Sequence, residues 1–170
     1  MKRWIFLIVL GVAGAFIFRR YGFEGVYVAS PSMEPTLLVG SNYFVDKITF
    51  QFRSPRRREV IVFTSPVEDS KDLIKRVIGL PGETISIKDK QVFINHEVLK
   101  EPYVKYKRKN EILKGDNILE MKIPAGCYFV MGDNRDESND SASWRNPKTG
   151  EPAYFVHREE IQGRLINTLE

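Results

Sequence analysis

From Trp4 to Phe18 the chain carries no charged side chain, and this apolar run is bounded by Met1-Lys2-Arg3 and by Arg19-Arg20. A helix over it rises about 23 Å, short of a hydrocarbon core of about 30 Å. A basic start and an apolar stretch suit a cleavable secretory leader. The exit does not, because Ala29 has the bulky Tyr27 two places before it, where a small residue is needed. The favoured reading is a retained anchor over residues 1–27. It continues through Arg19 and Arg20 to Tyr21, Phe23, Val26 and Tyr27, with the arginines snorkelling and the aromatics at headgroup level. Lys2, Arg3 and the amino terminus favour a cytoplasmic start. A single-pass protein of the cell membrane is expected, with the rest of the chain on its outer face.

Past Tyr27 the period changes. Short runs of β-branched and aromatic residues are separated by Gly, Pro, Asn and Asp, which predicts strands rather than helices. The expected strands are Asn42 to Ile48, Glu59 to Phe63, Leu73 to Gly79, Thr84 to Ile87, Gln91 to Asn95, Ile118 to Lys122, Tyr128 to Met131 and Arg164 to Asn167. Asp89-Lys90 reads as a hairpin turn. The fold class is mainly β, in barrel-like or sandwich antiparallel sheets, with helix confined to the anchor and short turns.

Composition narrows the partners. With 26 basic against 22 acidic residues among 170, the excess of +4 is too small to point to nucleic acid. The one cysteine, Cys127, sits in the apolar run Gly126-Cys127-Tyr128-Phe129-Val130 and reads as core. With His96 and His157 the only histidines, the ligand clusters of a zinc site are missing, and neither metal nor cofactor is expected. Two basic stretches, Arg53 to Arg58 and Lys105 to Lys109, read as solvated loops, or, for the first, as contacts with anionic lipid.

Three segments can carry chemistry. Ser30-Pro31-Ser32-Met33-Glu34-Pro35-Thr36-Leu37-Leu38 is held out of a helix by its prolines, and a serine there is ordinarily a turn residue. In Asp72-Leu73-Ile74-Lys75-Arg76-Val77 strand alternation sends Lys75 and Arg76 to opposite faces, so that one can face the core. Bringing a buried lysine to a pKa near 7 takes about 4.6 kcal/mol of differential destabilisation. A lysine so tuned is a general base. Met131-Gly132-Asp133-Asn134-Arg135-Asp136-Glu137-Ser138-Asn139-Asp140-Ser141 predicts a loop rich in side-chain-to-backbone bonds. Its oxygens at Asp133, Asp136, Ser138 and Asp140 superficially suit calcium, without the EF-hand spacing.

In this order, Ser-Met-x-Pro-Thr-Leu, Lys-Arg-Val-Ile-Gly-Leu-Pro-Gly and Gly-Asp-Asn-Arg-x-x-Ser-x-Asp-Ser, behind an amino-terminal apolar segment, resemble the bacterial type I signal peptidases. The compact Gram-positive members are the nearest in size. The resemblance implies a membrane-bound serine endopeptidase that removes signal peptides from secreted preproteins, cutting where small residues stand one and three places before the bond. It implies Ser32 as nucleophile and Lys75 as neutral general base, with Ser138 orienting the lysine. Ser30 would complete the oxyanion hole with the Ser32 N–H. Met33 and Ile74 would line the substrate pockets. Arg76, Asp133 and Asp140 would support the site. Its partners would be signal peptides, the lipid bilayer and the secretion translocon.

The chain is expected to divide into an anchor (1–27), a catalytic β domain (28–82 and 128–170) and an inserted β cap (83–127). One departure stands out: Ala142 follows Ser141 where the family commonly has an arginine that pairs with the aspartate, leaving Arg145 or Arg135 as substitutes for Asp140. Two alternatives stay open. The self-cleaving SOS repressors also use serine and lysine, but carry a DNA-binding region that this sequence lacks. A catalytically inactive homologue that binds signal peptides or scaffolds secretion would retain the motifs without the activity.

Overall fold

Valine, isoleucine and phenylalanine pack well on a pleated surface, and the segments rich in them form strands in the computed structural model. It describes residues 2–68 and 70–166, without the side chains of residues 2, 13 and 15–21. Helix α1 (Lys2–Tyr21) leads into β1 (Phe23–Tyr27), β2 (Asn42–Asp46), the short α2 (Thr49–Phe52), β3 (Val60–Thr64) and β4 (Asp72–Gly79). Then follow β5 (Thr84–Lys88), β6 (Gln91–Ile94), β7 (Glu97–Val98), β8 (Ile118–Lys122), β9 (Cys127–Met131), β10 (Val156–His157) and β11 (Ile161–Leu165).

Two antiparallel sheets result. The larger has the order β1-β2-β11-β3-β4-β9-β10 and the smaller β7-β6-β5-β8. The smaller sheet lies within the stretch expected to form an inserted β region. The barrel-like closure expected from the sequence is corrected: β1 and β10 stand at opposite ends of the larger sheet and do not pair. A two-residue β10 is too short to carry a closing seam of hydrogen bonds. The β5–β6 hairpin turns on Asp89 and Lys90, whose φ values of 47° and 71° are those that a tight two-residue hairpin requires.

Central strands β3 and β9 are buried along almost their whole length, because both faces of the sheet are covered. Phe63, Val77, Val130 and Trp144 fill one face, and Met33, Leu37, Val45 and Val62 fill the other. A third cluster joins the two sheets through Ile78, Ile85, Val92, Ile123 and Phe129. Cys127 is buried in β9, as expected.

The amino-terminal expectation is corrected in part. Helix α1 forms, but among the described residues no helix is long and apolar enough to cross a membrane. The chain then turns at once, and Phe23–Tyr27, read as the headgroup end of the anchor, is an edge strand paired with β2. Snorkelling of Arg19 and Arg20 concerns side chains outside those described, and Asn167 lies beyond the described residues.

Neither basic stretch is simply a solvated loop. Arg53 pairs with Glu59, and Arg57 with Glu83. In the second stretch the backbone itself is paired. Lys105 N–H donates to the Asp133 carbonyl at 2.8 Å, and Arg135 N–H donates to the Lys105 carbonyl at 3.1 Å.

Candidate active site

The turn that carries Ser32 is rigid for reasons written in its sequence. Pro31 opens a single 3-10 turn, Pro31–Met33, after an extended Ser30, and proline is pre-set for a first helical position. The turn buries Met33 in the core and leaves Ser32 only 7% exposed. Across from it, β4 is paired with β3 from Asp72 to Arg76 but with β9 only from Arg76 onward. Lys75 therefore sits where β4 gains its second neighbour, 4% exposed, with its Nζ 2.7 Å from Ser32 Oγ. Burial pushes the Lys75 pKa down to about 8, against the charges of Asp140 and Asp133, which raise it.

Beside this pair runs a cleft of about 170 Å³. Val28, Ala29, Ser30, Met33, Leu73 and Ile74 are among the residues that line it. Ser30 Oγ stands 3.2 Å from Ser32 Oγ. The structure thus brings together Ser30, Ser32, Met33, Ile74 and Lys75, with Ser32 and Lys75 43 positions apart in sequence.

A family model described as signal peptidase, peptidase S26, matches residues 1–169. Signal peptidase I P of Bacillus subtilis subsp. natto is 39% identical over 142 residues, covering 81% of this chain and 76% of that protein. Signal peptidase I V of Bacillus subtilis is 41% identical over 133 residues, covering 74% and 75%. The crystal structure of a signal peptidase I from Enterococcus faecalis superposes with a TM-score of 0.52 at 32% identity, covering 67% of this chain and 98% of that one. The chain belongs to the S26 signal peptidase family. It is accordingly a hydrolase of the serine-protease class.

Around the Ser32–Lys75 pair of this S26 peptidase lies a shell of ion pairs. Strand alternation led to the expectation that one of Lys75 and Arg76 faces the core. Both are buried, because both faces of β4 are covered. Arg76 escapes the cost of an unpaired charge through a two-pronged contact with Asp133, Nε to Oδ1 at 2.8 Å and one terminal nitrogen to Oδ2 at 2.7 Å. The guanidinium also stacks over the Tyr103 ring, 4.0 Å from its centroid, and donates to the Arg58 carbonyl at 2.7 Å. Thr36 donates to Asp133 and ties the Ser32 segment to the same pair.

Asp140 is 3% exposed, and its two oxygens accept from the Gly132 N–H at 2.8 Å and the Ala142 N–H at 3.1 Å. Backbone donors thus serve the carboxylate where the family's arginine is absent. Arg145 is exposed. The Arg135 fork goes to Glu101, at 2.5 and 3.1 Å; burial pulls the Arg135 pKa down, but the charge and hydrogen bonds of Glu101 outweigh it and leave it raised. Asp133 and Asp136 are likewise engaged by cations, Arg76 and Lys90, rather than grouped as ligands.

Ser138 Oγ is buried and makes no hydrogen bond among the described residues, so the bond to Lys75 that the resemblance implies is not formed here. Its hydroxyl lies directly behind Gly132. A Cβ added to Gly132 would come closer than 3.0 Å to both Ser138 Oγ and the Ser32 carbonyl. Only glycine lets the two segments approach so closely.

Sequence reasoning passed over Asn134. It is fully buried, its amide nitrogen donates to the Pro31 carbonyl at 3.0 Å, and its N–H donates to the Ser32 carbonyl at 3.1 Å. Its signal was the Gly-Asp-Asn-Arg run, but the target lies 103 positions away.

Proposed function

We propose that this chain removes signal peptides from secreted preproteins by a serine nucleophile and a lysine general base. The observation that carries the reading is the 2.7 Å approach of the buried Lys75 Nζ to Ser32 Oγ at the edge of an apolar cleft. Neutral Lys75 takes the Ser32 hydroxyl proton as Oγ attacks the scissile carbonyl. The Ser32 N–H and the Ser30 hydroxyl face the developing oxyanion, where one donor is worth about 2.7 to 4 kcal/mol. The Lys75 ammonium returns its proton to the leaving amine, and water, activated by the same lysine, hydrolyses the ester. Ser138 orients the lysine from behind Gly132, and Arg76, Asp133 and Asp140 hold the loop on which it sits.

The substrate lies extended between residues 28–30 and the stretch of β4 that precedes its pairing with β9, adding a strand. A cleft of about 170 Å³ accepts small side chains such as alanine one and three places before the cut. Helix α1 meets the lipid bilayer, which keeps the site where signal peptides emerge, on the outer face of the cell membrane and beside the translocon.

The test is cleavage of a preprotein by the detergent-solubilised full chain. Wild type cuts at the site that follows small residues, and Ser32→Ala and Lys75→Ala each lose at least about 10³-fold in kcat. A Ser32→Ala variant that cuts at the wild-type rate sinks the mechanism.

A further inference from the structure

The turn Arg135–Glu137 stops one residue short of Ser138, and it is moored from outside the larger sheet. Its Asp136 side chain is fully buried. One carboxylate oxygen accepts from Lys90 Nζ at 3.0 Å, and the other accepts from the backbone N–H groups of Lys107 and Arg108 at 2.5 and 2.6 Å. Lys90 stands on the β5–β6 hairpin, and Asp116 holds its ammonium from the other side at 3.0 Å. The ammonium lies 5.4 Å from the Tyr106 ring centroid, and the Tyr106 hydroxyl donates to the Lys90 carbonyl at 2.8 Å. Lys90, Asp116, Ser138, Asp140 and Ala142 line one narrow cavity. The smaller sheet thus reaches the loop that presents Ser138 through the buried Lys90 ammonium.

We propose that Lys90 is a positioning residue for the peptidase reaction: through Asp136 it locks the Arg135–Glu137 turn and so holds the Ser138 hydroxyl against Gly132 beside the Ser32–Lys75 pair. The proposal rests on the reading of Ser138 as the group that orients Lys75. A buried carboxylate stripped of its cation is strongly disfavoured, so the turn would relax toward water without Lys90. Burial pulls the Lys90 pKa down, but the hydrogen bonds and charges of Asp116 and Asp136 outweigh it and leave it raised. Lys90 therefore stays charged across the alkaline range in which Lys75 becomes neutral. The two lysines do opposite work because Lys90 has carboxylates in contact and Lys75 is buried beside the Ser32 hydroxyl instead.

The experiment compares wild type, Lys90→Met, Lys90→Arg, Ser138→Ala and the double variant Lys90→Met/Ser138→Ala, as full chains in detergent. The probe is a fluorogenic peptide with alanine one and three places before the cut. Lys90→Met is expected to lose about tenfold or more in kcat with KM within about twofold, and Lys90→Arg to recover most of that loss. The double variant is expected to be no slower than Ser138→Ala, since both changes act through one hydroxyl. Asp116→Asn loosens Lys90 without touching the turn, and should lose about threefold in kcat at unchanged KM, which keeps a result in hand if Lys90→Met fails to fold. Wild-type kcat in both Lys90→Met and Asp116→Asn overturns the proposal. So does a double variant slower than Ser138→Ala by the full Lys90→Met factor. Wild-type kcat in Ser138→Ala overturns the Ser138 reading instead, and is told apart by that variant alone.

Discussion

An ammonium taken out of water and given no carboxylate in contact is poorly solvated, and the chain sheds its proton before the folded state gives way. Lys75 is in this position, with Asp140 and Asp133 near enough to raise its pKa but not to offset its burial. Two consequences follow from a folded value of about 8 against an ordinary 10.5. In the proposed mechanism the neutral form is the base, so kcat/KM should rise with pH through about 8 and level off above it. A profile flat from pH 6 to 10 would show that Lys75 is not the base. The second consequence concerns stability. Between about 8 and 10.5 the unfolded chain binds more protons than the folded one, so stability from this residue rises with pH across that window and is lowest below it. The deficit at pH 7 is about 3 kcal/mol. Lys75→Met should therefore be inactive yet melt higher than wild type at pH 7, with a smaller gain at pH 10, as measured by calorimetry. An equal gain at both pH values would trace the effect to packing instead.

Elements meet at the site through segments too far apart in sequence to be paired by eye. Gly132 follows the apolar strand β9, and the Ser32 turn lies on one side of it and Ser138 on the other. Gly132→Ala should push these apart by several tenths of an ångström or more while leaving both sheets intact. A displacement of about 1 Å at a catalytic group costs about 10²-fold, and a loss of that order in kcat is expected with an unchanged circular dichroism spectrum. Wild-type kcat would mean that the segments tolerate separation. Local pattern made the strands legible: β3, β8 and β9 fall where branched and aromatic runs stood, and Asp89-Lys90 makes the turn its residue types favour. The pairing of Ser32 with Lys75 was legible only through the order of three motifs, because neither residue is distinctive alone. Strand β1 was not, since Phe23 and Tyr27 are aromatic and follow an apolar helix, and only pairing with β2 identifies them as sheet. Nor were the bonds from Asn134 to Pro31 and Ser32, the backbone donors on Asp140, or the Asp136 mooring. Each depends on tertiary register, which no local periodicity encodes.

For the whole molecule, the unresolved balance is at the amino terminus. Trp4, Ile5, Phe6, Leu7, Ile8, Val9, Leu10 and Val12 are all exposed on α1, a helix apolar on every side. Exposed apolar surface on this scale marks a contact with another apolar phase, and basic residues flank the run at Lys2, Arg3, Arg19 and Arg20. A bilayer would satisfy both features, since acyl chains take up apolar surface and headgroups accept basic flanks. The uncharged run is shorter than a hydrocarbon core is thick, which a locally thinned bilayer or a helix lying at the interface would accommodate. Charges placed within the run should undo this contact in either geometry. Each costs about 2.5 to 3.5 kcal/mol at the centre of a bilayer, so Leu7→Asp with Leu10→Asp should shift partitioning by at least about tenfold. The prediction is that wild type floats with phosphatidylcholine vesicles and the double variant stays behind, while kcat on a short soluble peptide in detergent changes by less than about twofold. Equal flotation would move the membrane contact to another surface, such as that around Phe44 and Phe52, which are 66% and 83% exposed. A matching loss of peptide turnover would mean that α1 shapes the cleft itself, through its junction with β1.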